Sequence, residues 1–170
     1  ITVHFIDKKI DTGDIILKKI FQIKDNDTYA SLLKICYREC PKLLYCAIKM
    51  IQKNELKPIT QKSIHPKGSY FKKRKIGDEI INWHHSSRKI FNFTRAICKP
   101  GPMAKTLYKK KFFYINKVKD LKDLKSYKDS KAGTIVNIVN GKPIIKTGNG
   151  FVKLIKWFGK NKISVNSKFI

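Results

Sequence analysis

Acidic residues are scarce in this sequence of 170 residues: 12 Asp and Glu stand against 38 Lys and Arg, and the formal net charge is +26. A charge of this size favours polyanionic partners such as RNA, nucleotide phosphates or an anionic membrane surface. Lysine greatly outnumbers arginine and is spread along the whole chain, which a lysine-rich proteome would also produce without selection for a binding patch. Both interpretations of the charge stay open.

Long apolar runs are also missing. No uninterrupted apolar segment approaches the roughly 18 residues that a membrane span needs, and the first residues lack the charged and then apolar pattern of a secretion signal. These absences argue against a membrane-spanning helix, and we expect a soluble, cytoplasmic protein. The 42% hydrophobic content is still enough for a folded core, in one ordinary domain or two small ones.

Cysteine motifs are a third absence. The four cysteines contain no Cys-x-x-Cys pair, and they share no usual zinc-ligand spacing with His65, His84 and His85. Three of them fall on one predicted helix, on or near its apolar face. We therefore expect buried free thiols and no metal site at Cys36, Cys40, Cys46 and Cys98.

The start of the chain predicts a β-hairpin. Val3 to Ile6 alternates like a short strand, residues 7–13 are rich in turn formers, and Ile15 begins the return strand. The turn carries an acid, Asp11. An Asp in a turn commonly bonds its own backbone, so from residue type alone a plain turn and a catalytic turn are both open.

One long apolar stripe predicts the main helix. Apolar residues recur at helical spacing from Tyr29 to Ile51, behind the capping sequence Asp25-Asn26-Asp27-Thr28. Pro41 interrupts the backbone bonding and leaves the stripe in phase, which predicts either one kinked helix or two stacked segments. The helix should cover a sheet, but two short strands cannot bury it fully, which indicates further structure before Ile1.

The second half of the chain predicts short strands joined by turns. A helix capped by Ser86 or Ser87 comes first and stops at Pro100-Gly101-Pro102. Asn140-Gly141 and Gly148-Asn149-Gly150 mark tight turns, and the latter is no dinucleotide loop because no helix follows it. Several short strands joined by glycine turns favour a small barrel or sandwich. The predicted strands are residues 106–108, 112–118, 134–139, 144–147 and 151–157, with a charged loop at 119–131.

Two motifs carry a resemblance to a known family. The sequence His-Phe-Ile-Asp-Lys-Lys-Ile-Asp-Thr-Gly-Asp-Ile-Ile at residues 4–16 resembles the H-F-[VI]-x-x-x-[LI]-D-x-G-x-[IV]-[IL] signature of 10-formyltetrahydrofolate-dependent formyltransferases. Residues 69–102 are similar to the [ST]-Y-[FY]-x-x-[KR]-R…I-D-W…R-A…P-x-P stretch of methionyl-tRNA formyltransferases and sugar N-formyltransferases. Asn82 departs from the Asp that precedes the Trp in that pattern.

The resemblance implies an α/β fold in three parts. Residues 1–56 would be the carboxy-terminal part of a Rossmann-like formyltransferase catalytic domain, residues 57–68 a linker, and residues 69–170 a small OB-like β-barrel domain. Members of the family carry an Asn-x-His pair and a folate-binding half upstream of the His4 motif, and the three residues that precede His4 in this sequence contain neither. The fragment alone is therefore expected to be inactive without that missing upstream half as a partner.

The resemblance also assigns catalytic and folate-binding roles. Asp11 matches the catalytic Asp of the family, where the attacking amine must lose a proton while an oxyanion forms. His4 matches a strand histidine, for which a structural hydrogen bond is the commoner role. The donor, 10-formyltetrahydrofolate, would lie against the turn, mainly through backbone groups. The residues lining its pterin pocket would be Ile6, Asp7, Lys8, Lys9 and Ile10.

The acceptor would be a primary amine on a nucleotide-linked amino sugar or on initiator methionyl-tRNA. Tyr70, Arg74, Trp83 and Arg95 could contact it, since aromatic rings stack on bases and arginine pairs with phosphate. Tyr70 and Trp83 fit the core of the barrel equally well. Net charge favours tRNA, whereas the absence of a Trp within residues 100–102 and the Trp83-His84 pair favour a sugar slightly.

A function of another class also fits the composition. In this alternative the chain is a stand-alone basic nucleic-acid-binding β-barrel module without catalysis, and Asp11 is idle. It would bind RNA through residues 61–170 in the absence of folate.

Overall fold

The computed structural model of the protein describes residues 1–121 and 124–170. These residues form two units: the first contains residues 1–26 and 31–73, and the second contains residues 27–30 and 74–170.

The opening hairpin of the first unit forms as predicted, with shorter strands. β1 (Thr2–His4) pairs antiparallel with β2 (Ile15–Lys18), and Val3 lies opposite Leu17. Residues 5–14 connect the two strands and contain the acidic turn.

The main helix, α1 (Tyr29–Gln52), is one continuous helix that contains Pro41, so the one-helix alternative is confirmed. Among the residues described for α1, only Glu39 and Ala47 are buried, whereas Leu44 on the apolar stripe is 53% exposed. The expectation that α1 covers a sheet is therefore not met in the part of the chain that the structure describes. The hairpin strands, at three and four residues, are too short to cover 24 residues of helix.

A buried carboxylate connects α1 to the segment after β2. Glu39 accepts a hydrogen bond from Lys19 Nζ at 2.6 Å and another from Arg38 Nε at 2.6 Å. These bonds outweigh the effect of burial and lower the pKa of Glu39 to about 2.

The segment predicted as a linker carries structure of its own. Ile59 and Ile15 exchange two backbone hydrogen bonds, at 2.8 and 2.9 Å. α2 (Gln61–Ile64) then adds a single helical turn. Neither an isolated bridge nor a four-residue helix leaves a periodic signal in the sequence, so the polar composition alone could not reveal them.

The second unit begins its main part with α3 (Ser87–Ala96). Ser86 is the N-cap, as predicted, and its side chain accepts a hydrogen bond from the backbone N–H of Lys89 at 3.1 Å. The described residues that follow contain five strands: β3 (Ala104–Tyr108), β4 (Lys111–Leu121), β5 (Ile135–Val139), β6 (Lys142–Lys146) and β7 (Phe151–Phe158).

These strands form one antiparallel sheet in the order β3-β4-β7-β6-β5. Asn140 and Gly141 take φ angles of 52° and 70° in the β5–β6 turn, which confirms the predicted tight turn. Lys109 and Lys110 adopt similar left-handed angles, 48° and 62°, in the β3–β4 turn. β4 continues to Leu121, so the prediction that a charged loop begins at residue 119 was wrong. Part of that predicted loop, residues 122 and 123, lies outside the described residues.

Aromatic rings form the centre of the second unit's core. Trp83 stacks on Phe169 with ring centroids 5.6 Å apart, and Tyr108 contacts Phe113 and Phe169 edge-on. Ile90 of α3 is buried in the same cluster. Trp83 Nε1 donates to Thr106 Oγ1 at 2.9 Å, so its polar atom is satisfied inside the core.

The segment at residues 163–170, which contains a turn at residues 165–166, contacts both edge strands of the sheet. Leu107 of β3 and Ile170 exchange two backbone hydrogen bonds of 2.9 Å. Ile135 of β5 donates to Ser167 O at 2.9 Å and accepts from Asn166 N at 2.8 Å. Among the described residues β3 and β5 do not pair directly, so strand pairing does not close the barrel that the sequence predicts.

The prediction that the cysteine thiols are buried is correct for one of the four. All four cysteines are free, but only Cys98 is buried, while Cys36 is partly exposed and Cys40 and Cys46 are exposed. The stripe of α1 on which these three lie is little covered. Within the described ranges, no three His, Cys, Asp or Glu side chains are grouped so as to hold a metal ion. None of the described helices is long and apolar enough to cross a bilayer.

Candidate active site

The acidic turn depends on a close crossing of its two arms. Phe5 N donates to Asp14 O at 3.0 Å, and a Cβ atom on Gly13 would lie 1.8 Å from Phe5 O. Glycine is therefore required at position 13 by contact rather than by φ. Asp11 itself has a φ of 53°, the left-handed region that Asp tolerates better than most residues.

Asp11 faces a histidine across the hairpin. His4 Nδ1 lies 2.7 Å from Phe5 O, and because a carbonyl only accepts, this nitrogen donates. His4 Nε2 is then the nitrogen that faces Asp11 Oδ1, 3.7 Å away. This separation exceeds a hydrogen bond, so the two groups must move slightly closer before a proton can lie between them.

The His4–Asp11 pair lines a cavity of about 400 Å³ in the first unit. The Asp11 side chain is 83% exposed, so its carboxylate is open to a ligand. A neighbouring cavity of about 230 Å³ contains Asp11 and Tyr70 together. The residues lining the larger cavity are Thr2, His4, Asp11, Ile15, Lys18, Gln61, Ile64 and His65.

Gln61 and His65 are members of this site that the sequence analysis missed. Both lie in the segment interpreted as a linker, and no motif marked them. Gln61 Nε2 donates to Asp11 O at 2.9 Å and to Gly13 O at 2.7 Å, so it bonds the acidic turn directly.

The residues predicted to line the pterin pocket are all exposed. Ile6 and Ile10 are 98% and 80% exposed, which is unusual for large apolar side chains. Asp7 Oδ1 accepts from Lys8 N at 2.6 Å and so stabilises the turn locally. Lys9 O accepts from Thr12 Oγ1 at 3.3 Å.

The four predicted acceptor contacts differ in their surroundings. Tyr70 is 78% exposed and Arg74 is exposed, so both side chains are accessible. Trp83 is 4% exposed and its Nε1 is bonded to Thr106, so it lies in the core, as the alternative interpretation of this residue has it. Arg95 is engaged in a structural contact, since its Nη1 donates to Asp27 O at 2.9 Å.

Comparison with known proteins identifies the class to which this fold and site belong. The model of the formyl transferase C-terminal domain matches residues 74–169. The chain therefore belongs to the formyltransferase family, of which it represents the carboxy-terminal region.

Particular relatives cover the whole chain. It is 31% identical to a methionyl-tRNA formyltransferase of Fusobacterium nucleatum over 100% of its length and 56% of the relative's. It is 35% identical to the methionyl-tRNA formyltransferase of Halothermothrix orenii, over 100% of the chain and 54% of that protein. The chain thus spans about half the length of these curated relatives.

A solved structure is similar over nearly the same range. The N-formyltransferase of Helicobacter canadensis, in complex with folinic acid and dTDP-3-aminofucose, is 25% identical with a TM-score of 0.68. The match covers 92% of this chain and 55% of that one.

Proposed function

We propose that this chain is the carboxy-terminal part of an enzyme that transfers a formyl group from 10-formyltetrahydrofolate to a primary amine. The observation that carries the proposal is the His4–Asp11 pair, 3.7 Å apart at the wall of a cavity, within the motif of a formyltransferase. The division into residues 1–56, 57–68 and 69–170, with an OB-like second domain, belongs to the same proposal. The segment at residues 163–170, which bonds both edge strands, supports it.

Asp11 is proposed as the proton acceptor in this reaction. The folate, when bound, supplies an electrophilic formyl carbon. As the amine nitrogen bonds to the formyl carbon, the bond from that carbon to the folate nitrogen must break, and the folate leaves with a proton on that nitrogen. The amine nitrogen must lose a proton, and an exposed carboxylate beside an imidazole can take it. His4 donates from Nδ1 to Phe5 O, which fixes its ring with Nε2 toward Asp11.

The exposed turn has the chemistry needed to hold a folate. A pterin is flat and heteroaromatic, and fits a surface that combines apolar side chains with backbone donors and acceptors. Ile6 and Ile10 supply the apolar part, and the backbone of residues 6–10 supplies the polar part.

An upstream half is proposed to complete the catalytic domain. Leu44, Ile48 and Ile51 on α1 are 53%, 45% and 42% exposed, which leaves an apolar stripe open. The Asn-x-His pair expected from the family would lie in that half, which accords with the chain spanning about half of its relatives.

We propose methionyl-tRNA, a cytoplasmic substrate, as the acceptor. The net charge of +26, and a similarity to methionyl-tRNA formyltransferases that extends over the whole of this chain, support this choice. Tyr70 and Arg74 are the accessible side chains among the predicted contacts. An amino sugar linked to a nucleotide is the second candidate, supported by similarity to the Helicobacter canadensis enzyme.

The role of Asp11 is tested by D11N in the complete enzyme. Loss of the proton acceptor should lower kcat by about 10²- to 10⁴-fold. The melting temperature should stay unchanged, because the Asp11 side chain is 83% exposed. Near-normal turnover by D11N would refute the assignment.

The choice of acceptor is tested by the salt dependence of binding. If about six lysines contact phosphates, the slope of log K against log salt for tRNA should be about −5. A slope near zero, together with formylation of a dTDP-amino sugar, would favour the second candidate. RNA binding by a preparation that never formylates an amine would favour the stand-alone binding module.

A further inference from the structure

The Asp11 turn has few internal bonds to hold it. Asp11 has a φ of 53°, a left-handed conformation that is unfavourable for a non-glycine residue. Within the turn, Thr12 Oγ1 donates to Lys9 O at 3.3 Å, a long hydrogen bond. Lys8 N also donates to Asp7 Oδ1 at 2.6 Å, and Phe5 N donates to Asp14 O at 3.0 Å. These three bonds do not involve Asp11 itself, so a bond to Asp11 from outside the turn adds to what fixes its carboxylate.

Gln61 supplies such contacts from another segment. Its Nε2 donates to Asp11 O at 2.9 Å and to Gly13 O at 2.7 Å, which uses both protons of the amide. The assignment of the amide nitrogen follows from its partners, since an oxygen in that place would face two carbonyl oxygens. The two bonds fix the backbone on either side of Thr12.

The backbone of Gln61 is itself anchored to the hairpin. Ile59, two residues earlier, exchanges two hydrogen bonds with Ile15, the first residue of β2. Gln61 O accepts from His65 N at 3.0 Å, which closes the turn of α2. These backbone bonds therefore hold Gln61 next to the turn to which its side-chain amide donates.

We propose that Gln61 is a positioning residue for formyl transfer, whose amide sets the place of the Asp11 carboxylate relative to His4 Nε2. This inference rests on the proposed function, because it requires Asp11 to accept a proton. Loss of the two bonds should let residues 11–13 move and should reduce the rate of proton transfer, whereas residues 6–10, the proposed folate surface, receive no bond from the Gln61 amide.

The test uses Q61M and Q61E in the complete enzyme. Methionine keeps the approximate shape without the donors, and glutamate places oxygens against the two carbonyls. Two hydrogen bonds at about 1 kcal/mol each correspond to a fall in kcat of about 30-fold. KM for the folate and the amine should stay within about twofold, because a positioning residue acts on the transition state. Q52M, at the exposed end of α1, is the matched control and should behave like the wild type.

A double-mutant cycle separates this inference from the proposed function. If Gln61 acts through Asp11, adding Q61M to D11N should cause no further loss of kcat. An equal loss in both backgrounds would overturn the inference, and so would full activity of Q61M when D11N is inactive. Full activity of D11N would instead overturn the proposed function, and the inference with it.

Hydrogen exchange gives a readout that does not depend on activity. Amides of residues 12–15 should exchange faster in Q61M and Q61E than in Q52M, while those of α3 stay unchanged. Unchanged exchange at residues 12–15 in both variants would overturn the inference, including in a variant too unstable for kinetics.

Discussion

At the scale of the residue, the contacts of Gly13 and Glu39 reveal constraints that the sequence does not show. Gly13 is fixed by the Phe5 carbonyl, whereas a Cβ atom added to Gly141 would meet nothing within 4 Å, and that glycine is fixed by its φ of 70°. The family motif places a glycine at position 13. The reason for it, a close crossing of two backbone arms, is visible only in the folded structure. Likewise the sequence could not show that Glu39 would be a buried ion-pair centre on a stripe of apolar residues.

The substitution G13A should destabilise the hairpin more than G141A destabilises its own turn. Relief of a 1.8 Å contact requires backbone movement, and we expect a cost of about 3 kcal/mol or more. For G141A the left-handed strain should cost about 1 to 2 kcal/mol. Thermal unfolding and hydrogen exchange of residues 3–18 measure the difference. Unchanged exchange in G13A would contradict the crossing.

The stability conferred by Glu39 should depend on pH in a defined window. Its folded pKa, about 2, lies below the ordinary value for glutamate, so the stabilisation is complete above about pH 4.5 and is lost as pH falls toward 2. The difference in unfolding free energy between the wild type and E39Q should therefore narrow over that range. Denaturant titrations at several pH values measure it.

Lys19, which donates a hydrogen bond to Glu39, allows a control for this pH dependence. In a K19M background the pH-dependent part of the difference should shrink, because the Lys19 bond is the largest cause of the lowered pKa. An undiminished difference in that background would show that Lys19 is not the important partner.

At the scale of the element, local sequence predicted the hairpins and helices whose signals are contained in a few residues. Asn140-Gly141 specified a tight turn, and the pair Ser86-Ser87 placed the start of α3 to within one residue. The segment at residues 163–170 carries no such signal, since its hydrogen bonds go to strands far away in the chain. The end of β4 was also missed, because its pairing with β7 overrides the charged composition of residues 119–121.

The β3–β4 turn should be improved by the residues that its backbone conformation favours. Lys109 and Lys110 have φ angles of 48° and 62°, which Asn-Gly adopts at lower cost. We expect K109N/K110G to raise stability by about 1 kcal/mol, measured by denaturant unfolding. The reverse exchange, N140K/G141K in the β5–β6 turn, should lower stability by a similar amount. Stabilisation by both variants would contradict this reasoning.

At the scale of the whole molecule, the family could be identified from short motifs, while the role of several motif residues could not. Trp83 belongs to the motif and lies in the core, and Arg95 belongs to it and bonds the backbone of Asp27. A motif records which residues recur, and burial decides whether they can touch a substrate. The composition shows the positive charge of the chain, but it does not show which anionic ligand that charge binds.

Phe169 should stabilise the second unit as much as a residue inside a strand. It is fully buried and contacts the rings of Trp83, Tyr108 and Phe113, so F169A should cost about 3 to 5 kcal/mol. V165A removes a side chain of the same segment that is 45% exposed, and should stay within about 0.5 kcal/mol. Denaturant unfolding measures both. Equal effects would argue against docking of this segment in the core.

The position of Phe169 also has a kinetic consequence. Its stacking partner, Trp83, lies 86 residues earlier in the sequence (169 − 83). Contacts over such separations form late, because a long loop must close before any bond rewards it. During synthesis, the rings of Trp83, Tyr108 and Phe113 leave the ribosome well before Phe169 can join them. The second unit therefore completes its fold only when residues 163–170 have emerged, and until then its aromatic core is a surface for chaperones to protect.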